Sequence, residues 1–209
     1  ATQAATANRG ELNISATLVV SKAHPVITIA PITKAYGNPS FRPVPTTTNT
    51  DTSGGSVFTF TSNNIAVASM LDATLVRING VGTATLSITQ SASANFTDAS
   101  SSVILTVNKG VSGLSASTFA VATNKTFGEE AFAITTKPIS SSTGAITYSS
   151  SDENVATITS NGSGNAITLV GQGTVTFTAS QAESALYTAD TKTSNTLTVA
   201  RKTATLSRN

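Results

Sequence analysis

The 209-residue chain contains no cysteine, no tryptophan, one histidine and one methionine. Without cysteine there is no disulfide framework, no thiol chemistry and no cysteine-ligated zinc, and the redox compartment stays open. Charged residues make up only 11% of the chain, and the formal net charge is +2. The twelve bases are scattered from Arg9 to Arg208. That spread excludes the clustered basic face that counterion release on nucleic acid demands. No apolar run approaches the ~18 residues of a membrane-spanning helix. Residues 1–10 lack a basic stretch followed by an apolar one, so the expectation is that a leader is absent or already removed.

What the chain does have is threonine and serine, 38 and 28 residues respectively, nearly a third of the total. Apolar residues reach 39%, enough to build cores and too many for a charged, apolar-poor disordered segment. Internal repeats appear at once. Gln3-Ala4-Ala5-Thr6-Ala7-Asn8 returns as Gln90-Ser91-Ala92-Ser93-Ala94-Asn95 and again as Gln181-Ala182-Glu183-Ser184-Ala185-Leu186, at spacings of 87 and 91 residues. Each copy is followed by an alternating strand ending in a base: Ala16 to Lys22, Val103 to Lys109 and Thr196 to Lys202. Five further landmarks keep their order in two full copies. Lys34-Ala35-Tyr36-Gly37 matches Lys125-Thr126-Phe127-Gly128, each with a Phe four residues after the Gly (Phe41, Phe132). Phe60 to Asn63 matches Tyr148 to Ser151, Val67 to Met70 matches Val155 to Ile158, and Gly80 to Thr83 matches Gly171 to Thr174.

This phasing divides the chain into residues 1–24, the last strands of a preceding module; 25–110 and 111–201, two complete modules; and 202–209, the first strand of a following one. The terminal pieces read first as an excerpt of a longer array, and second as partial modules completed by neighbouring chains. Within the modules, Thr, Val and Ile suit a pleated surface. In Thr174-Val175-Thr176-Phe177-Thr178-Ala179 the apolar side chains point one way and the threonines the other. Thr83 to Thr89 repeats that pattern, as antiparallel sheets with one wet face should. Turn signals such as Gly37-Asn38-Pro39, Ser53-Gly54-Gly55, Asn79-Gly80 and Asn161-Gly162-Ser163-Gly164 separate the strands. No helical period is evident. About seven short strands per module predict an all-β chain of tandem immunoglobulin-like β-sandwiches with partial modules at both ends.

The run from Lys125-Thr126-Phe127-Gly128, through Tyr148 to Ile158, to Gly171-Gln172-Gly173-Thr174 and on to Gln181 resembles the bacterial immunoglobulin-like modules of invasin- and intimin-type adhesins, other surface proteins and phage tail or capsid proteins. The 25–110 copy departs from the pattern at Asn64-Ile65-Ala66 and in the Thr-rich stretch Thr46 to Gly55. The resemblance implies extracellular, cell-surface or virion-surface display and names no ligand.

No catalytic, cofactor or metal residue is assigned. Gly80-x-Gly82 and Gly171-x-Gly173 precede alternating strands, whereas a phosphate cradle needs a following helix; they read as turns. His24 beside Pro25 has no second His or Cys to join it in a metal or acid–base site, and no nucleophile-elbow pattern accompanies it; it reads as a linker residue. Glu129-Glu130 and Asp152-Glu153 are adjacent pairs that point to opposite faces of a strand, so they read as surface acids rather than glycosidase or calcium groups. The junctions Lys22-Ala23-His24-Pro25 and Lys109-Gly110 lack the acids of calcium-stiffened arrays. Tyr36, Phe41, Phe60, Phe96, Phe127, Phe132, Tyr148 and Tyr187 recur at equivalent places and read as core rather than a sugar-stacking platform. Asn13, Asn95, Asn124 and Asn161 open glycosylation acceptor triplets, expected often by chance in so Ser/Thr-rich a chain.

The functional expectation is a non-enzymatic spacer and display scaffold: a stalk or fibre of beads on short junctions. Its partners are neighbouring modules or self-association, through terminal strands donated to a sheet edge. The alternative is a carbohydrate- or receptor-binding adhesion module, with the loops Thr46–Gly55 and Ser140–Gly144 as contact surfaces. An enzyme has no side-chain constellation behind it.

Overall fold

The computed structural model describes residues 2–3, 12–51, 57–115, 119–161 and 164–204. The first strands are β1 (Thr2–Gln3) and β2 (Leu12–Asn13), which pair with each other. Next come β3 (Ile27–Thr28), β4 (Ile32–Ala35), β5 (Thr46–Thr47), β6 (Phe58–Ser62), β7 (Ala68–Met70), β8 (Val76–Ile78), β9 (Gly82–Gln90) and β10 (Ala99–Asn108). The second set is β11 (Asn124–Thr126), β12 (Phe132–Ala133), β13 (Ile146–Ser150), β14 (Ala156–Asn161), β15 (Gly164–Leu169), β16 (Gly173–Val175), β17 (Phe177–Gln181), β18 (Asp190–Thr193) and β19 (Leu197–Ala200). There is no helix among the described residues.

One layer of the first module is the sheet β4-β10-β9-β6, in which β10 runs parallel to β4 and antiparallel to β9. The pairs β3–β5 and β7–β8 complete it. Alternation sets what is buried: along β9, Ala84, Leu86, Ile88 and Gln90 face inward while Thr83, Ser87 and Thr89 do not. These side chains join Ile27, Phe60, Val67, Val76, Val103, Leu105 and Val107 in one core. The second module repeats the plan around Phe119, Val155, Ile167, Val175, Phe177, Leu197 and Val199. Its last strand β19 is again parallel to the first, β11, and antiparallel to β16.

The second copy differs by a bulge. Thr193 lies opposite Thr178, yet Leu197 lies opposite Val175, so one extra residue enters between β18 and β19. Ser194 Oγ accepts the Phe177 N–H at 3.0 Å and restores the interrupted ladder. The bulge also aims Asn195 at the neighbouring segment, where its side chain accepts from Val121 N–H and donates to Val121 C=O.

Two sequence expectations change. Ala16 to Lys22 is not a strand: Leu18 and Val20 are 86% and 82% exposed. Their counterparts Leu105, Val107, Leu197 and Val199 are buried because strands of their own module flank them. No such sheet stands beside residues 16–22 among the described residues, so their alternation has nothing to pair with. Part of the Thr46–Gly55 stretch is structured, with Thr46–Thr47 forming β5; residues 52–56 lie outside the described set, as do 205–209 of the last segment.

Candidate functional site

The feature that recurs with chemical detail is the joint at the head of each module. In the first, Ala23 forms a parallel bridge to Phe96: Ala23 N–H donates to Asn95 C=O and Thr97 N–H to Ala23 C=O, both at 2.9 Å. In the second, Gly110 bridges Tyr187 in the same way: Gly110 N–H donates to Leu186 C=O and Thr188 N–H to Gly110 C=O, again at 2.9 Å. The preceding lysine completes each joint. Lys22 Nζ donates to Ser93 C=O at 2.7 Å and Lys109 Nζ to Ser184 C=O at 2.8 Å. An ammonium on a carbonyl is a charge-assisted bond, stronger than a neutral one. The receiving turns, 93–97 and 184–188, belong to the repeat that begins at Gln90 and Gln181.

Among the described residues, only the second joint has a hydrophobic core on both sides. Tyr36, at the end of β4, meets Tyr187 edge to face, with centroids 5.4 Å apart. Gly110 is buried between them; a Cβ there would lie 2.3 Å from Tyr36 C=O. Lys109 also pairs with Glu183. Beside this contact lies a cleft of about 300 Å³ bounded by Tyr36, Ser141, Thr143 and residues 184–187. The matching hollow at the first joint, about 400 Å³, is bounded by residues 20–23 and 94–96.

Residues 46–51, the described part of the first loop proposed as a contact surface, and the loop at 140–144 sit at these joints, and polar groups of both bond internally. Asp51 accepts from Ser93 Oγ at 2.7 Å, from Asn95 N–H at 2.8 Å and from Asn95 Nδ2 at 2.8 Å. The Asn95 N–H first, then the Ser93 hydroxyl, hold its carboxyl below the usual aspartate value. In the second module Gln181, buried, performs the fastening: its Oε1 accepts from Ser140 Oγ, and its Nε2 donates to Ser142 and Gly144 C=O at 3.1 Å each. Gln90 is the counterpart. Its Oε1 accepts from Thr47 Oγ1 at 2.7 Å, but its buried Nε2 has no partner.

The other singled-out residues stay apart. His24 Nδ1 contacts Thr97 Oγ1 at 2.8 Å and thereby joins the first joint. Glu129 pairs with Lys125 and accepts the Thr126 N–H, and Asp152 accepts the Asn154 N–H. Among the described residues no three metal-ligating side chains converge. The turn reading of the paired glycines fits: Gly82 and Gly173 have φ of +134° and +148° and open strands, not helices. The core reading of the aromatics holds for Phe60 and, at the core margins, for Tyr36, Phe41, Phe132 and Tyr148. It fails for Phe127, which is 43% exposed, and for Phe96 and Tyr187, which serve the joints. Sequence reasoning missed the roles of Lys22 and Lys109, although a base at the end of every repeat strand was the signal.

No curated protein matches the chain by sequence. Among solved structures it is similar to human protocadherin-24 EC1-2, with 13% identity over 88% of this chain and 100% of that one, at a TM-score of 0.35. It is also similar to domains 4 and 5 of the S-layer protein SbsC, with 16% identity over 87% and 100% of the two chains and a TM-score of 0.31. The D00-D0 domain of intimin matches with 12% identity over 84% and 98%, at a TM-score of 0.31. Residues 114–189 match the family model described as bacterial Ig-like domain (group 2). The match falls within the second module, and the first repeats that module's landmarks, its parallel first-to-last strand pairing and its joint.

Proposed function

We propose that this chain is a length of a surface-exposed tandem array, a non-enzymatic spacer and display scaffold of a stalk or fibre. The observation that carries this reading is the joint built twice over, Ala23 on Phe96 and Gly110 on Tyr187, each with its lysine on a turn carbonyl. At the second joint the backbone bridge and the charge-assisted bond leave no free linker residue, so the second module's orientation follows that of the first. The bacterial Ig-like family of residues 114–189 supports display outside a cell. By this reading residues 1–24 and 202–209 are shared with adjacent modules.

Small-angle scattering with residual dipolar couplings on the chain tests the mechanical half. A single relative orientation of the two modules is expected, and couplings that require free hinging would overturn it. Antibodies raised against the chain test the display half: they label intact cells or particles of the source, and labelling that appears only after lysis would overturn surface exposure.

A further inference from the structure

The cleft at the second joint has a chemistry that a spacer does not require. Two phenol rings, at 86° to one another, line it together with Ser141 and Thr143. None of Ser141 Oγ, Thr143 Oγ1 or the two phenol oxygens has a hydrogen-bond partner among the described residues, although Ser142 and Ser184 beside them bond to each other at 3.2 Å. No charged side chain lines the cleft, and Lys109 beside it is already engaged by Ser184 C=O and Glu183. Its volume, about 300 Å³, is at the small end of the range for ligand clefts.

We propose that this cleft is a binding site for a neutral saccharide. The C–H faces of a pyranose ring carry slight positive charge and suit the electron-rich face of an aromatic ring. Sugar hydroxyls both donate and accept, as do Ser, Thr and Tyr hydroxyls, and an unlike pair of such groups satisfies itself in any rotamer. A charged ligand would find no counter-ion within the cleft. A proline-rich peptide presents carbonyls, which accept only, and is favoured by a run of aromatic side chains along a groove; here two rings stand perpendicular at one point. The site depends on both modules, because Tyr36 comes from one and Tyr187 from the other. At the first joint only Phe96 is supplied, and Lys22 intrudes. The proposal goes beyond the spacer reading and does not depend on it.

Titration of the isotope-labelled full chain with cellobiose, maltose and N,N′-diacetylchitobiose, followed by amide chemical shifts, tests it. Saturable shifts at residues 141–143 and 184–187 with at least one disaccharide are expected, with a millimolar dissociation constant. The variant Tyr36→Phe/Tyr187→Phe keeps both rings and is expected to bind about tenfold more weakly with unchanged thermal midpoints, and Ser141→Ala/Thr143→Val to do the same. Residues 94–96 serve as the internal control and should not move. The proposal is overturned by an absence of saturable shifts up to about 20 mM sugar, by shifts centred elsewhere, by hydroxyl-free variants that bind as tightly as the parent, or by saturation with a proline-rich peptide in place of every sugar.

Discussion

Tyr36 and Tyr187 belong to different modules and pack edge to face with their ring planes 86° apart. The contact exists because Gly110 has no side chain: a Cβ at that position would sit 2.3 Å from Tyr36 C=O and 3.4 Å from the Tyr187 ring. Since the obstacle is backbone, it has no rotamer by which to yield. Gly110→Ala should therefore part the modules rather than compress them, at a cost of about 1–3 kcal/mol at the joint. Dipolar couplings should report a changed or averaged module orientation, while each module keeps its own fold by far-ultraviolet circular dichroism. Retention of the parent orientation would show that the joint does not rely on this close approach.

The paired glutamines provide a controlled comparison. Gln181 makes three side-chain hydrogen bonds, whereas Gln90 leaves a buried Nε2 unpaired. Gln181→Leu deprives the Ser142 and Gly144 carbonyls of their donor and is expected to destabilise the second module by about 1–3 kcal/mol. Gln90→Leu removes a donor that already lacks a partner, so its cost should be smaller by at least about 1 kcal/mol, and the apolar gain works in its favour. Chemical denaturation of the two variants decides the order, and equal losses would count against the unpaired amide.

How far the sequence revealed these features depends on the kind of signal. Gln90 and Gln181 stand in phase with Leu86, Ile88, Phe177 and Ala179, so alternation already directs them inward, and repetition makes them conspicuous. The glycines at 82 and 173 and the alternating strands were legible because backbone sterics and pleat geometry are local. The bulge at Ser194–Asn195 was not, since one extra polar residue in a Thr/Ser-rich strand changes no pattern; only the register against β16 and β17 exposes it. Lys22 and Lys109 act on carbonyls more than seventy residues away in sequence, |i−j| of 71 and 75, which no local rule reaches. Strand patterning at Leu18 to Val20 misled because alternation states only what a segment does once a sheet lies beside it.

Acid should weaken the first module through two named carboxylates. Asp51 is held below its ordinary 3.8 by the Asn95 N–H and the Ser93 hydroxyl. Asp72 is held far lower still, first by the Arg42 guanidinium that grips it with bonds of 2.7 and 3.1 Å, then by the Thr74 N–H. A folded value below the unfolded one adds stability at pH above 3.8, and that stability drains away as pH falls from there through the depressed value. Asp51→Asn and Asp72→Asn should each lower stability at neutral pH and flatten its decline below pH 3.8. Denaturation midpoints between neutrality and strong acid check this; a decline of the parent's steepness in the double variant would place the acid sensitivity elsewhere.

Equivalent positions in two copies of the repeated segment should respond unequally to the same substitution. Leu197 is fully buried against the second core, while Leu18 is 86% exposed and touches neither core. Truncating Leu197 to alanine removes buried methyl groups and leaves a cavity, costing about 2–5 kcal/mol. Truncating Leu18 to alanine, or replacing Leu18 and Val20 together with serine, should leave both modules' stabilities within about 0.5 kcal/mol of the parent. The serine pair should also reduce self-association at high concentration, because adjacent exposed side chains Leu18, Val19 and Val20 form an apolar run on a segment without sheet partners among the described residues. Light scattering of the parent and the serine pair at matched concentration measures the association, and thermal unfolding measures the stability. If Leu18 proved as costly to truncate as Leu197, residues 16–22 would have to be buried in a sheet, with the alternation acting there as it does in β10 and β19.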